Sequence, residues 1–99
     1  MITIKGGNGT TRESAIKILG ADNNLDGISA EYKIIGKEWK VLVQVLHETE
    51  DNIYDKLIIQ NEHGTVTEIW FDITDFFGKW KEGDLTRLTK SVHWLRHSK

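Results

Sequence analysis

The side chains best suited to chemistry stand near the end of the chain. His93 and His97 are four residues apart, the spacing at which two imidazoles on one helical face can share a metal ion. Such a site needs a third ligand, and His93-Trp94-Leu95-Arg96-His97 lacks the Glu that directly follows the first His in zinc-protease helices. No metal is expected, and the pair reads as surface histidines. On the same stretch Arg87, Lys90, Trp94 and His97 would share one helical face at i, i+3, i+7 and i+10. Cations beside an aromatic ring can hold phosphates while stacking a base, or can anchor a protein interface. A solvated face with Trp94 packed on a neighbouring element fits the same spacing.

A second charged region lies upstream. Glu48 to Phe76 holds eight acids (Glu48, Glu50, Asp51, Asp55, Glu62, Glu68, Asp72 and Asp75) against one base, Lys56. Lys79 to Lys99 reverses the balance, with six bases against Glu82 and Asp84. Either the two segments neutralise one another, or the acidic one stays exposed and attracts a basic partner, speeding association and selecting that partner. In the second case Glu48, Asp51, Asp55, Glu62 and Glu68 are the expected contributors.

Catalysis needs a carboxylate pair, or a His beside a nucleophile and an acid, gathered in a cleft. Asp72 and Asp75, near Trp70, are close carboxylates flanked by aromatics, but they read as a strand end and a turn cap. His47 reads as a hydrogen-bonded histidine at a sheet margin. The glycine-rich Gly6-Gly7-Asn8-Gly9-Thr10-Thr11 lacks the Lys of a phosphate-binding loop and the spacing of a dinucleotide fingerprint, so it reads as a tight turn. No catalytic residue and no cofactor is expected, and the chain is not expected to be an enzyme.

These residues must be placed by a small fold. The chain has 99 residues, formal net charge −2, 38% hydrophobic and 28% charged residues and four Trp, enough for one core and too apolar for a disordered segment. Without cysteine, disulfides, thiolate metal sites and a Cys nucleophile are excluded. Met1-Ile2-Thr3-Ile4-Lys5 leads into Gly6-Gly7 with no basic and apolar leader pattern, and no apolar run approaches a membrane span, so a cytoplasmic location is expected.

Alternation over Met1 to Lys5 predicts a short strand, and Ala15 to Leu19 a second. Asn23 or Asn24 can cap a helix with Leu25, Ile28, Tyr32, Ile35 and Trp39 along its core face, closed by Gly36, although Gly27 lies inside the pattern. From Lys40 the period becomes two, with Val41, Val43 and Val45 on one side and Leu42 and Leu46 on the other. Turns at Glu50-Asp51-Asn52 and Asn61-Glu62-His63-Gly64 then give a three-stranded antiparallel meander ending at Ile73. Asp75-Phe76-Phe77-Gly78 reads as one turn plugging aromatics against the sheet. Asp84 can cap a final helix through Leu85, Leu88, Val92 and Leu95. The expected fold is α+β: an antiparallel sheet with a central meander, one amphipathic helix on one face and a C-terminal helix. Residues 1 to 79 form the domain; 80 to 99 are a connector and basic helix, part of that domain or projecting from it.

Gly6-Gly7-Asn8-Gly9, Ala15-Ile16-Lys17-Ile18, Ala30-Glu31-Tyr32 and Phe71-Asp72-Ile73-Thr74-Asp75-Phe76-Phe77-Gly78-Lys79 together resemble a group of small bacterial proteins similar to immunity-type partners of secreted toxins. The likeness covers residues 2 to 79 and implies a partner that is itself a protein. The expected function is stoichiometric occlusion of that partner, as by an immunity protein or a phage-encoded inhibitor, with a basic toxin or nucleic-acid enzyme as the target. The alternatives are a nucleic-acid-binding module using the C-terminal basic residues, and a small hydrolase or isomerase.

Overall fold

The computed structural model describes residues 1–78 and 94–98. Its elements in chain order are β1 (Thr3–Gly6), β2 (Ile16–Leu19), α1 (Asn24–Ile35), β3 (Trp39–Glu48), β4 (Ile53–Asn61), β5 (Val66–Asp72) and β6 (Trp94–Ser98). The strands form one sheet in the order β1-β2-β5-β4-β3-β6.

The expected meander is present, with β3 antiparallel to β4 and β4 to β5. Polar side chains shape its turns in place of proline. Thr49 Oγ1 accepts from the backbone N–H of Asn52 at 3.0 Å, and Asn61 Oδ1 accepts from the N–H groups of His63 and Thr65 at 2.9 and 3.0 Å. The sheet as a whole is mixed rather than antiparallel, because β2 runs parallel to β5 and β6 parallel to β3. The β2–β5 contact joins segments about 55 residues apart, and no local periodicity encodes such a pairing. The glycine-rich turn between β1 and β2 extends it: Gly9 O accepts from Trp70 N–H at 2.8 Å.

Helix α1 begins where Asn23 Oδ1 accepts from Asp26 N–H at 3.0 Å. It ends at Gly36, whose φ of 86° suits a residue without Cβ and whose N–H bonds to Tyr32 O at 3.0 Å. Its buried face is Asn24, Gly27, Ala30, Glu31 and Ile35, not the expected stripe. Of that stripe Ile35 is buried, Leu25 and Ile28 are half-buried, Tyr32 is exposed and Trp39 opens β3. The face is turned because Gly27 lies against the ring of Phe76, and only a surface of small residues admits that contact.

Strand β3 also departs from simple alternation. Its register with β4 shifts between Val41 and Val43, a bulge at Leu42 that inverts the facing of everything after it. Trp39 and Val41 therefore pack on the core under α1, as Leu46 does, and Gln44 is buried with it. The expected grouping of Val41 with Val43 and Val45 does not hold. Ile16, Ile18, Leu57, Ile59 and Phe71 complete the core, which Ile73 and Phe76 close from the turn after β5.

The expected C-terminal helix is not what the described part of that segment forms. Residues 84–93 lie outside the described residues, but Trp94–Ser98 is strand, paired parallel beside Gln44 to Glu48 of β3. The helical spacing of Leu85, Leu88, Val92 and Leu95 is a local signal. It is overridden at Leu95 by the outer edge of β3, whose backbone groups β6 pairs.

Candidate protein-binding face

Because α1 covers one face of the sheet, the even positions of β4 and β5 lie on the other. Register sets Lys56 opposite Trp70 and Tyr54 opposite Asp72, with His47 of β3 opposite Tyr54. The Trp70 indole extends over β4, so that its ring centroid lies 4.8 Å from that of His47 and 6.3 Å from that of Tyr54, the latter at 77° in an edge-to-face contact. Lys56 Nζ stands 5.4 Å from the Trp70 ring centroid, a cation–π distance, and Trp70 Nε1–H donates to Glu68 Oε2 at 2.6 Å.

The surroundings hold this cluster in place. Asp72 accepts from Asn52 Nδ2 at 3.2 Å and from both the N–H and the hydroxyl of Thr74, at 3.0 and 2.6 Å. Asp75 accepts from Gly20 N–H at 2.8 Å. Asp72 is thus the expected strand end, whereas Asp75, expected as a turn cap, instead ties its turn to the end of β2. Partial burial raises the Tyr54 phenol above its usual range, helped by the negative charges of Asp72 and Glu13 and opposed by the guanidinium of Arg12. Those two loop residues therefore belong to the same rim. Trp70 is buried, while His47, Tyr54 and Lys56 are half-buried. Chemically this is an aromatic slab with Lys56 beside it and carboxylates around it, and Trp and Tyr are residue types enriched at protein interface hot spots.

The expected acidic contributors do not form one patch. Asp51 sits exposed in the β3–β4 turn and half-buried Glu48 ends β3 beside it. Glu68 is exposed and braces Trp70. Glu62 is exposed in the β4–β5 turn, at the far end of the nine-residue β4, a strand of roughly 30 Å. Asp55 is only 1% exposed and lies under α1, so it presents no carboxylate to a partner. Alternation explains the correction, since Asp55 shares the core-facing parity of Leu57 and Ile59. Arg87 and Lys90 lie outside the described residues. Trp94 and His97 occupy strand positions beside Gln44 and His47, where the helical grouping proposed for them does not exist.

Beneath α1 lies a polar group that periodicity conceals. Glu31 is fully buried near Asp55, which accepts from Gln44 Nε2, and among the described residues neither Glu31 carboxyl oxygen has a hydrogen-bond donor facing it. Burial raises Glu31 well above the usual carboxylate range, and the neighbouring charge of Asp55 adds to the rise. Burial pushes Asp55 up to about 6, although Glu31 and Gln44 pull the other way. Burial thus favours the protonated form of both carboxyls. The signal in the sequence is Gly27 and Ala30, small residues that mark the packed side of the helix on which Glu31 also falls.

Among the described residues no group of three or more His, Asp or Glu side chains is arranged to hold a metal ion, and no helix is long and apolar enough to cross a membrane. Compared with models of known families, with curated proteins and with solved structures, the chain matches none.

Proposed function

We propose that this is a cytoplasmic protein-binding protein that acts by stoichiometric occlusion, presenting the sheet face centred on Trp70 to its partner. The observation that carries the reading is the convergence of His47, Tyr54 and Lys56 on the Trp70 indole, on the side of the sheet away from α1. Rings with few rotatable bonds, already held in place, lose little entropy when a partner covers them. Asp51 and Glu68 flank the slab and would draw in a basic surface, so a toxin or a nucleic-acid enzyme is the favoured target class, in the manner of an immunity protein or an inhibitor. Binding is favoured over catalysis because the group with the most perturbed acidity, Glu31 with Asp55, is sealed from solvent at 0% and 1% exposure.

The test is a tagged capture from the native host at low and high salt, followed by affinity measurements on the purified pair. Tyr54→Ala and Glu68→Lys should each weaken a stoichiometric protein complex by about 5- to 100-fold. A partner held equally well by both variants overturns the proposed face, and recovery of nucleic acid alone overturns the proposed class.

A further inference from the structure

The sheet ends at β1, and among the described residues nothing pairs with its outer side. Gly7 N–H donates to Ala15 O at 3.2 Å, and the register Lys5↔Lys17, Thr3↔Leu19 continues that series of bonded pairs. By antiparallel alternation the backbone N–H and C=O groups of Ile2 and Ile4 therefore point away from β2, toward the open edge, and Gly6, with φ of 90°, ends the regular strand. Edge strands are commonly protected by brevity, a charged side chain, a proline or a bulge; β1 is four residues long and carries Lys5, but has neither a proline nor a register shift.

The same edge gathers exposed apolar side chains. Met1, Ile2, Ile4 and Ile34 are 105%, 36%, 47% and 36% exposed, and all four line a groove of about 400 Å³ between β1 and α1. Concentration of apolar surface at one edge marks an interaction site where scattered residues would not.

The groove also has a charge polarity. Asp22 and Asp26 stand at its Met1 end with Gly20, and Lys33 stands about 10 Å further along α1, given the helical rise per residue. A two-fold axis through the edge would set β1 antiparallel to its copy, and would place each acidic end against the partner's Lys33. The groove is therefore complementary to itself.

We propose that β1 is a homodimerisation edge: two copies pair β1 to β1 in antiparallel register, joining their sheets and pooling Ile2, Ile4 and Ile34 in one apolar strip. Because β1 is only four residues long, the interface falls short of the roughly 800 Å² per partner of a standard one, and the dimer is a micromolar one. The surface is separate from the Trp70 face, so a dimer can still present both binding faces.

The two-fold makes a sharp charge-swap test possible by sedimentation velocity over roughly 10 to 500 µM. The unaltered chain should shift from monomer to dimer across this range. Lys33→Glu sets a new carboxylate against Asp22 twice per dimer, and Asp22→Lys sets a new ammonium against Lys33 twice; each alone should weaken association by about tenfold. An equimolar mixture of the two variants restores both attractions and should form the heterodimer at the original concentration. Both substitutions are at exposed positions, and circular dichroism of each variant checks that the fold is kept. A chain that stays monomeric throughout, a dimer indifferent to both single changes, or a mixture that associates no better than its components would each overturn the proposal.

Discussion

Gly27 of α1 meets the ring of Phe76 so closely that a Cβ at position 27 would lie 2.5 Å from three ring carbons. Phe76 is 1% exposed and packs against buried core residues, so the ring has no free space into which to retreat. The helix can sit at this height on the sheet only because position 27 lacks a side chain. That contact also sets which way α1 is turned, and so brings Glu31 rather than Tyr32 over Asp55.

Gly27→Ala should therefore destabilise the protein by about 1–2 kcal/mol, even though alanine improves helix propensity by about 1 kcal/mol, because overpacking costs more. Urea unfolding followed by tryptophan fluorescence measures it. Gly36→Ala is a useful contrast, since open space surrounds its Cβ position and only its φ of 86° opposes the change. A stabilised Gly27→Ala variant would mean that Phe76 does not occupy this position.

The buried acid pair gives stability a definite pH dependence. Both carboxyls have folded-state pKa values raised above their unfolded ones, with Asp55 moved from 3.8 to about 6, so the native state holds more protons than the unfolded chain over that interval. Proton linkage then makes stability fall as pH rises from about 4 through 6. The urea midpoint should be lower at pH 7.5 than at pH 5.5, opposite to the trend set by salt-bridged surface carboxylates. Glu31→Gln removes one of the two titrating carboxyls, and should flatten this dependence. A midpoint that rises with pH in the unaltered chain would contradict the raised carboxyls.

Asn23 supplies the side-chain acceptor for the first turn of α1. Its amide also donates to Asp26 Oδ2 at 3.1 Å, so Asn23→Ala should reduce stability by about 1 kcal/mol and Asn23→Asp, which keeps the acceptor but faces the Asp26 carboxylate, by about half as much. Equal losses in both variants, measured by thermal unfolding, would show that the amide rather than the acceptor oxygen matters.

Much of this fold is legible in the sequence where the determining forces are local. Asn23 and Gly36 mark the helix ends, and Asn61 marks the second meander turn through a side chain that bonds its own turn's backbone. What escapes is set by distant partners. The bulge at Leu42 is invisible because every residue from Val41 to Val43 is apolar, so either facing satisfies the pattern. Burial of Glu31 breaks the helical stripe because hydrophobic periodicity assigns a carboxyl to solvent, and only the facing Asp55 and Gln44 reverse that. The strand at Trp94–Ser98 depends on the open edge of β3. The binding face is half legible: Trp70 and His47 stand out singly in the sequence, but their meeting across β4 depends on register. The acidic run suggests one surface, although strand parity sends Asp55 inward and turn position separates Asp51 from Glu62.

The most direct test of the proposed binding face is the dissociation constant of the captured partner for two charge reversals matched in type and different in place. Glu68→Lys lies on the Trp70 face, and Glu38→Lys is exposed in the connection between α1 and β3. Occlusion of a basic partner through the Trp70 face predicts that Glu68→Lys weakens binding by at least about fivefold while Glu38→Lys stays within about twofold. Equal effects, or a larger loss with Glu38→Lys, would contradict it.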